Sequence, residues 1–280
     1  MKPIVAIVAQ GSMGSGLAAV LTGHGVRVLT SLEGRSPESA RRARDAGMEA
    51  VSESELVMAD LVLSIMPPGS AVTFARALAP KLGVVARGTL FVDCNAISPT
   101  TTGVIAEVMQ SAGVGFVDGG IIGLPPQAGL PGPRLYVSGP HASRVCALND
   151  YGLDIRLMDG PIGAASAMKL SYAGITKGLI AVASSMILGA TRASVATALR
   201  AELQESDPVL LEAMSRRVQG MLPKAYRWVE EMRQIEEFVA ADPAAARIYQ
   251  GASQLYDRLA QDYADEREES GVFAEFFKAG

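Results

Sequence analysis

Cysteine and histidine are scarce in this chain of 280 residues, which has two of each: Cys94, Cys146, His24 and His141. Two cysteines exclude a disulfide framework and a structural zinc site. Two histidines give no basis for a His-based metal centre, so no metal is expected, and proton transfer is left to another residue type. A surplus of positive charge is also missing. Lys and Arg number 25 against 29 Asp and Glu, for a net charge of −4. That argues against a general nucleic-acid binder, whose affinity rests on a basic footprint. Long apolar runs are lacking as well. The longest, residues 178–190, contains Ser184 and Ser185 and falls short of the roughly 20 residues a membrane span needs. At the start, Met1-Lys2-Pro3 and apolar residues 4–8 pass straight into a glycine loop. They read as the first strand of a cytoplasmic protein rather than as a leader.

The chain is 49% hydrophobic and 19% charged, the balance of a globular protein with a real core. Glycine divides it unevenly: 22 of 29 glycines lie at or before Gly163. Proline follows the same trend, whereas nine of the 15 aromatics fall between Tyr226 and Phe277. A turn-rich first domain, 1–162, and a turn-poor second domain, 163–280, are expected. In the first, strands rich in Val, Ile and Leu (4–9, 26–30, 61–66, 89–93, 115–118, 135–138 and 154–158) alternate with helical segments (15–21, 37–46, 71–78 and 101–112). This pattern predicts an α/β fold, a doubly wound parallel sheet covered on both faces. The second domain has few strand signals. Helices are expected at 164–192, 208–218, 224–240 and 243–265, an all-α domain, and the charged run 262–269 reads as solvated surface.

The first strand runs into Gln10-Gly11-Ser12-Met13-Gly14-Ser15-Gly16 and then an apolar helix. Glycine lets the backbone approach a pyrophosphate, and the helix start presents free N–H groups and a positive dipole end. The usual pattern is GxGxxG; here its first position is Ala9. The position after the first strand makes Gly11, Ser12, Met13 and Gly14 a candidate dinucleotide loop. At the end of the second strand an NAD site would place a carboxylate for the ribose hydroxyls. Here Arg35 occupies that region, and Ser31, Arg35 and Ser36 could together bind a 2′-phosphate, which predicts NADP. Glu33 is the dissenting residue. Arg41, Arg42 and Arg44, on the next helix, read as a solvated face.

Four stretches in order resemble the β-hydroxyacid dehydrogenases, the family of 3-hydroxyisobutyrate and 6-phosphogluconate dehydrogenases. They are Gly11-Ser12-Met13-Gly14, Ser64-Ile65-Met66-Pro67, Asp93-Cys94-Asn95-Ala96-Ile97-Ser98-Pro99, and Gly163 through Lys169. Residues 30–36 and 148–153 resemble a less-characterised NAD(P)-binding branch with a distinct helical C-terminal domain. The resemblance implies that Met66 and Pro67 line the cofactor cleft. It implies that Asn95, where family members usually have serine, stands beside nicotinamide and substrate; a turn-forming asparagine before Ser98-Pro99 is the other reading. Lys169 matches the family's catalytic lysine. A lysine in the apolar stretch 164–172 is costly unless it points into a polar cleft, where it can exchange a proton near neutral pH. Lys177 is its rival without a family role. The substrate segment implied by the resemblance is Gly119, Gly120, Ile122 and Gly123 after Asp118.

Two departures stand out. The family's asparagine four positions after the lysine is Ala173, with the adjacent Tyr172 or Ser171 to supply the missing polar group toward the substrate, and its substrate-loop serine is Ile122. The expected activity is therefore NADP-dependent hydride transfer to or from a small-molecule C–O substrate, a hydroxyacid or carbonyl compound, with Lys169 as general acid/base. The alternatives are an imine reductase and a non-catalytic NADP sensor. A homodimer without nucleic-acid or membrane partners is expected.

Overall fold

The structure, a computed structural model, describes residues 2–85, 88–127 and 129–278. Two units separate along the chain, residues 1–169 and 170–280. The first holds strands β1 (Ile4–Val8), β2 (Arg27–Thr30), β3 (Glu49–Ala50), β4 (Leu61–Ser64), β5 (Leu90–Asp93), β6 (Gly115–Ile122), β7 (Arg134–Ser138) and β8 (Asp154–Leu157). Between them lie helices α1 (Ser12–Gly23), α2 (Pro37–Asp45), α3 (Pro68–Val85), α4 (Pro99–Ser111) and α5 (Ala142–Val145). The strands form one sheet in the order β3-β2-β1-β4-β5-β6-β7-β8. Aliphatic residues occupy successive strand positions because both faces are buried. Val5, Ile7, Leu63 and Val92 pack on one face, and Ala6, Val8, Val62 and Phe91 on the other.

The expected all-parallel sheet needs one correction, since β6 and β7 are antiparallel. The segment joining them, 123–133, contains no helix among its described residues, and strands joined without a crossover pair antiparallel. Strand β6 is also longer than expected. It pairs with β5 only as far as Asp93↔Asp118, then continues along β7 through Gly119–Ile122. The glycines expected in a loop thus belong to a strand that overhangs β5 by four residues.

The second unit is helical: the remainder of α6 (Ala164–Arg192), then α7 (Ala196–Ser206), α8 (Pro208–Met221), α9 (Ala225–Phe238), α10 (Pro243–Ala264) and α11 (Glu268–Phe277). Leu170, Ile180, Val218, Met232, Tyr256 and Phe273 are among its buried core. Run 262–269 is more than solvated surface. The carboxylate of Asp262 accepts the N–H groups of Glu269 (2.9 Å) and Ser270 (2.7 Å) and starts α11. Helix α6 is long and apolar enough to cross a membrane, unlike the shorter run expected. Lys177 does not interrupt it, because that ammonium pairs with Glu231 and sits 4.8 Å from the Trp228 ring centroid. The helix turns Leu170, Ala173, Ile180, Ala181, Ile187 and Leu188 into the core of the second unit.

Candidate functional site

Helix α1 has Gly11 at its N-cap, so it carries no side-chain cap, and it has no acidic residue in its first turn. This differs from α2 and α4, whose first turns are capped by Ser36 and Ser98. Its leading N–H groups therefore remain available to an anion. Gly11 and Ser12 are exposed, and a Cβ built on Gly11 meets nothing within 4 Å, so the backbone is open to a ligand. Gly14 is the opposite case. A Cβ there would lie 2.1 Å from the Ala9 carbonyl oxygen. Its hydrogen lets the helix lie directly on the end of β1.

Behind the loop, Gln10 is almost fully buried. Its amide donates to Thr30 Oγ1 and to the Ser31 carbonyl (2.9 Å), tying the loop to the end of β2, while its Oε1 has no partner. Arg42 does not lie on a solvated face. Its Nε donates to the Gln10 carbonyl at 2.8 Å and a second guanidinium nitrogen pairs with Glu38. Nothing in the local sequence marks this contact, which spans 32 residues. Ser31 Oγ accepts the Glu33 N–H at 3.3 Å, and Ser36 Oγ caps α2 through the Ser39 N–H at 3.2 Å. Arg35 is exposed, just after Gly34 at φ +67°. The Glu33 carboxylate accepts the Glu53 N–H at 3.4 Å.

Asn95 follows β5. Its amide nitrogen donates to Ser64 Oγ (3.0 Å) and Asp93 Oδ2 (2.9 Å), and its oxygen accepts the Met66 N–H (2.6 Å). Both amide hydrogens are thus engaged within the protein, and the oxygen keeps one further lone pair. The Met66 side chain packs into the core, while Pro67 is exposed. Burial pushes the Asp93 carboxyl up to about 7, opposed by the hydrogen bonds from Asn95 and reinforced by nearby Asp118. A carboxyl that titrates higher in the folded chain than its unfolded value near 3.9 binds its proton more tightly when native. Stability therefore falls as pH rises from about 4 to about 7. Denaturant midpoints measured across that window should decline in the wild type and flatten in Asp93→Asn.

The overhang of β6 lies against these residues. A Cβ on Gly119 would meet the Asp93 carbonyl oxygen at 2.8 Å and Cys94 Sγ at 3.2 Å. One on Gly120 would meet the Ala165 carbonyl oxygen at 2.7 Å and Lys169 Cβ at 2.9 Å. Half-buried Lys169 is thereby rooted against the strand. Ile122 is buried, and Gly123 ends the strand at φ +126°. Tyr172 belongs to the second unit, on the exposed side of α6, and Ala173 lies in that unit's core, where a polar side chain would be out of place. Lys177, held by Glu231, is not available as an alternative proton-transfer group.

Two family models match the chain. Residues 4–144 match the NAD binding domain of 6-phosphogluconate dehydrogenase, and residues 190–259 match a Domain of unknown function (DUF1932). Among solved structures, the conserved protein MTH1747 of unknown function, reported to resemble 3-hydroxyacid dehydrogenases, is 28% identical. It covers 96% of this chain and 99% of its own, with a TM-score of 0.72. The Mycobacterium tuberculosis 3-hydroxyisobutyrate dehydrogenase with L-serine is 22% identical over 98% of this chain and 99% of that one, TM-score 0.71. An imine reductase variant from Myxococcus stipitatus in complex with NAD+ is 17% identical over 99% and 100%, TM-score 0.60.

Proposed function

The chain belongs to the β-hydroxyacid dehydrogenase-like family, whose nucleotide-binding part is the NAD binding domain of 6-phosphogluconate dehydrogenase, and from this we propose that it is an NADP-dependent oxidoreductase acting on an alcohol or carbonyl compound. The observation that carries the reading is the root of Lys169, set against Gly120 on the overhanging end of β6. Residues 1–162 would hold the dinucleotide. The uncapped start of α1, with Gly11, Ser12, Met13 and Gly14, suits its pyrophosphate. Bound nicotinamide supplies or accepts the hydride. The protein's own part is alignment and one proton. Lys169 Nζ would take the hydroxyl proton in oxidation and return it to the carbonyl oxygen in reduction. Asn95 fixes the Met66 N–H and keeps one lone pair toward a ligand. Gly119 and Gly120 serve the packing of β5 and α6 onto the strand, which leaves exposed Gly123 as the glycine that would face the substrate. Apolar Ile122 in place of a serine suits a bulkier or less charged substrate than a small hydroxyacid.

Preference for NADP over NAD rests on the β2 end. Arg35 and the neighbouring Ser36 are exposed, Ser31 four residues earlier is buried, and the Glu33 carboxylate accepts the Glu53 N–H. A hydrogen bond to a charged group is worth about 1.5–3 kcal/mol, roughly tenfold or more in affinity. Fluorescence titration should give NADP the tighter binding by about that factor, and Arg35→Ala should erase the difference. Comparable affinities in the wild type would remove the NADP assignment.

Residues 163–280 would carry dimerisation. On α6, Tyr172, Ile175, Leu179, Val182 and Met186 are each at least half exposed at three- and four-residue spacing, one continuous apolar stripe. A second copy covering that stripe makes a homodimer of the cytoplasm, without membrane or nucleic-acid partners. Sedimentation equilibrium should find a dimer that Leu179→Glu converts to monomer.

A further inference from the structure

We infer that Asp118 is a positioning residue for Lys169: its buried carboxylate clamps the first turn of α6 so that the lysine is rooted on β6. This rests on the proton-transfer reading of Lys169 given above. Asp118 is fully buried. A carboxylate in that setting is costly unless its oxygens are met by donors. Here they are met almost entirely by the start of one helix. Oδ2 accepts the N–H groups of Gly163 (2.9 Å), Ala165 (2.9 Å) and Ser166 (3.1 Å) and the Ser138 hydroxyl (2.9 Å). Oδ1 accepts the Ser166 hydroxyl at 2.5 Å. These N–H groups are among those a helix start leaves without internal partners, and the negative charge sits at the positive end of the helix dipole.

The clamp acts at a short distance from the lysine. Strand side chains alternate, so Gly120 shares the face of β6 that carries Asp118. Ala165 and Lys169, four apart, share one face of α6. Gly120 touches both, and a methyl group there would enter the backbone at Ala165 and the lysine stem. Strand and helix are thus joined at two points: a carboxylate that binds the first turn, and a missing side chain that lets the next turn close in. Asp118 is engaged by these donors and acts through Lys169.

The test needs no knowledge of the substrate. Intact protein is acetylated with trace acetic anhydride between about pH 6 and 11, and peptide mass spectrometry reads the Lys169 rate against exposed Lys224 in the same molecule. Asp118→Asn places an amide N–H group among the helix donors. It is expected to change the Lys169 rate relative to Lys224 at least about threefold over that range. Gly120→Ala should do the same from the other contact. Leu21→Ala, a core truncation in the same unit, serves as the control for general destabilisation and should leave the profile in place. Should Asp118→Asn not fold, Ser138→Ala decides, because it removes a donor to Asp118 without a contact to Lys169. A Lys169 profile unchanged in a folded variant overturns the positioning role and leaves the Lys169 chemistry untouched. A changed profile upholds it, even if Lys169→Ala still turns over substrate, a result that would instead remove the catalytic reading.

Discussion

Replacing Lys169 by alanine is expected to lower turnover by about 10²–10⁴-fold, the usual worth of a positioned general acid or base. Dinucleotide affinity should be unchanged, because the glycine loop and the β2 end do not depend on that ammonium. The assay is NADPH consumption against aldehydes, ketones, 2- and 3-oxoacids and imines. Any compound the wild type reduces serves for the comparison. Loss of turnover with intact cofactor binding removes a step made at the reacting centre and not the binding energy of the coenzyme. Equal turnover by Lys169→Ala would exclude the mechanism. A preference for imines would move the substrate to C=N compounds. Cofactor binding without turnover of any compound would make the protein a sensor.

Gly14→Ala is expected to act on both binding and folding. The added methyl would stand 2.1 Å from the Ala9 carbonyl oxygen, which is backbone and cannot rotate aside. Helix α1 must then lift from the end of β1. Overpacking of this kind costs about 1–3 kcal/mol. Lifting the helix also displaces the N–H groups that suit the pyrophosphate, so an affinity loss on the order of 100-fold is expected. Gly11→Ala is the informative partner. Its methyl meets nothing within 4 Å in the free protein, so the melting temperature should hold while dinucleotide affinity falls. Equal cofactor affinity in both variants and the wild type would remove the pyrophosphate from this loop.

Sequence signals identified the elements that carry their own punctuation. Helices α2, α4, α8 and α10 each begin with a Ser or Asp cap followed by proline, and in each the capping side chain accepts a first-turn N–H. Helix α7 has Val195 before it and no side-chain cap, and only Ala196, Leu199 and Leu203 pack partly against the core, too sparse a stripe to announce it. Strand β3 is two exposed residues held by a neighbour, with no hydrophobic run to detect. The glycine loop was legible because its chemistry is contiguous. The bond from Arg42 to Gln10 and the bonds from the start of α6 to Asp118 were not. They join residues 32 and 45 or more positions apart, and only folding brings them together. The lysine could be found by its spacing from Gly163, whereas the carboxylate that roots it had no local mark.

The alternation along β6 has a consequence for how this chain can vary in length. Deleting one residue between Asp118 and Gly120 would send either the acid or the gap to the opposite side of the sheet, because pleating reverses direction at every step. No compensating substitution elsewhere restores the odd–even relation. Homologues that keep the lysine should therefore preserve the two-residue interval from acid to glycine without insertion.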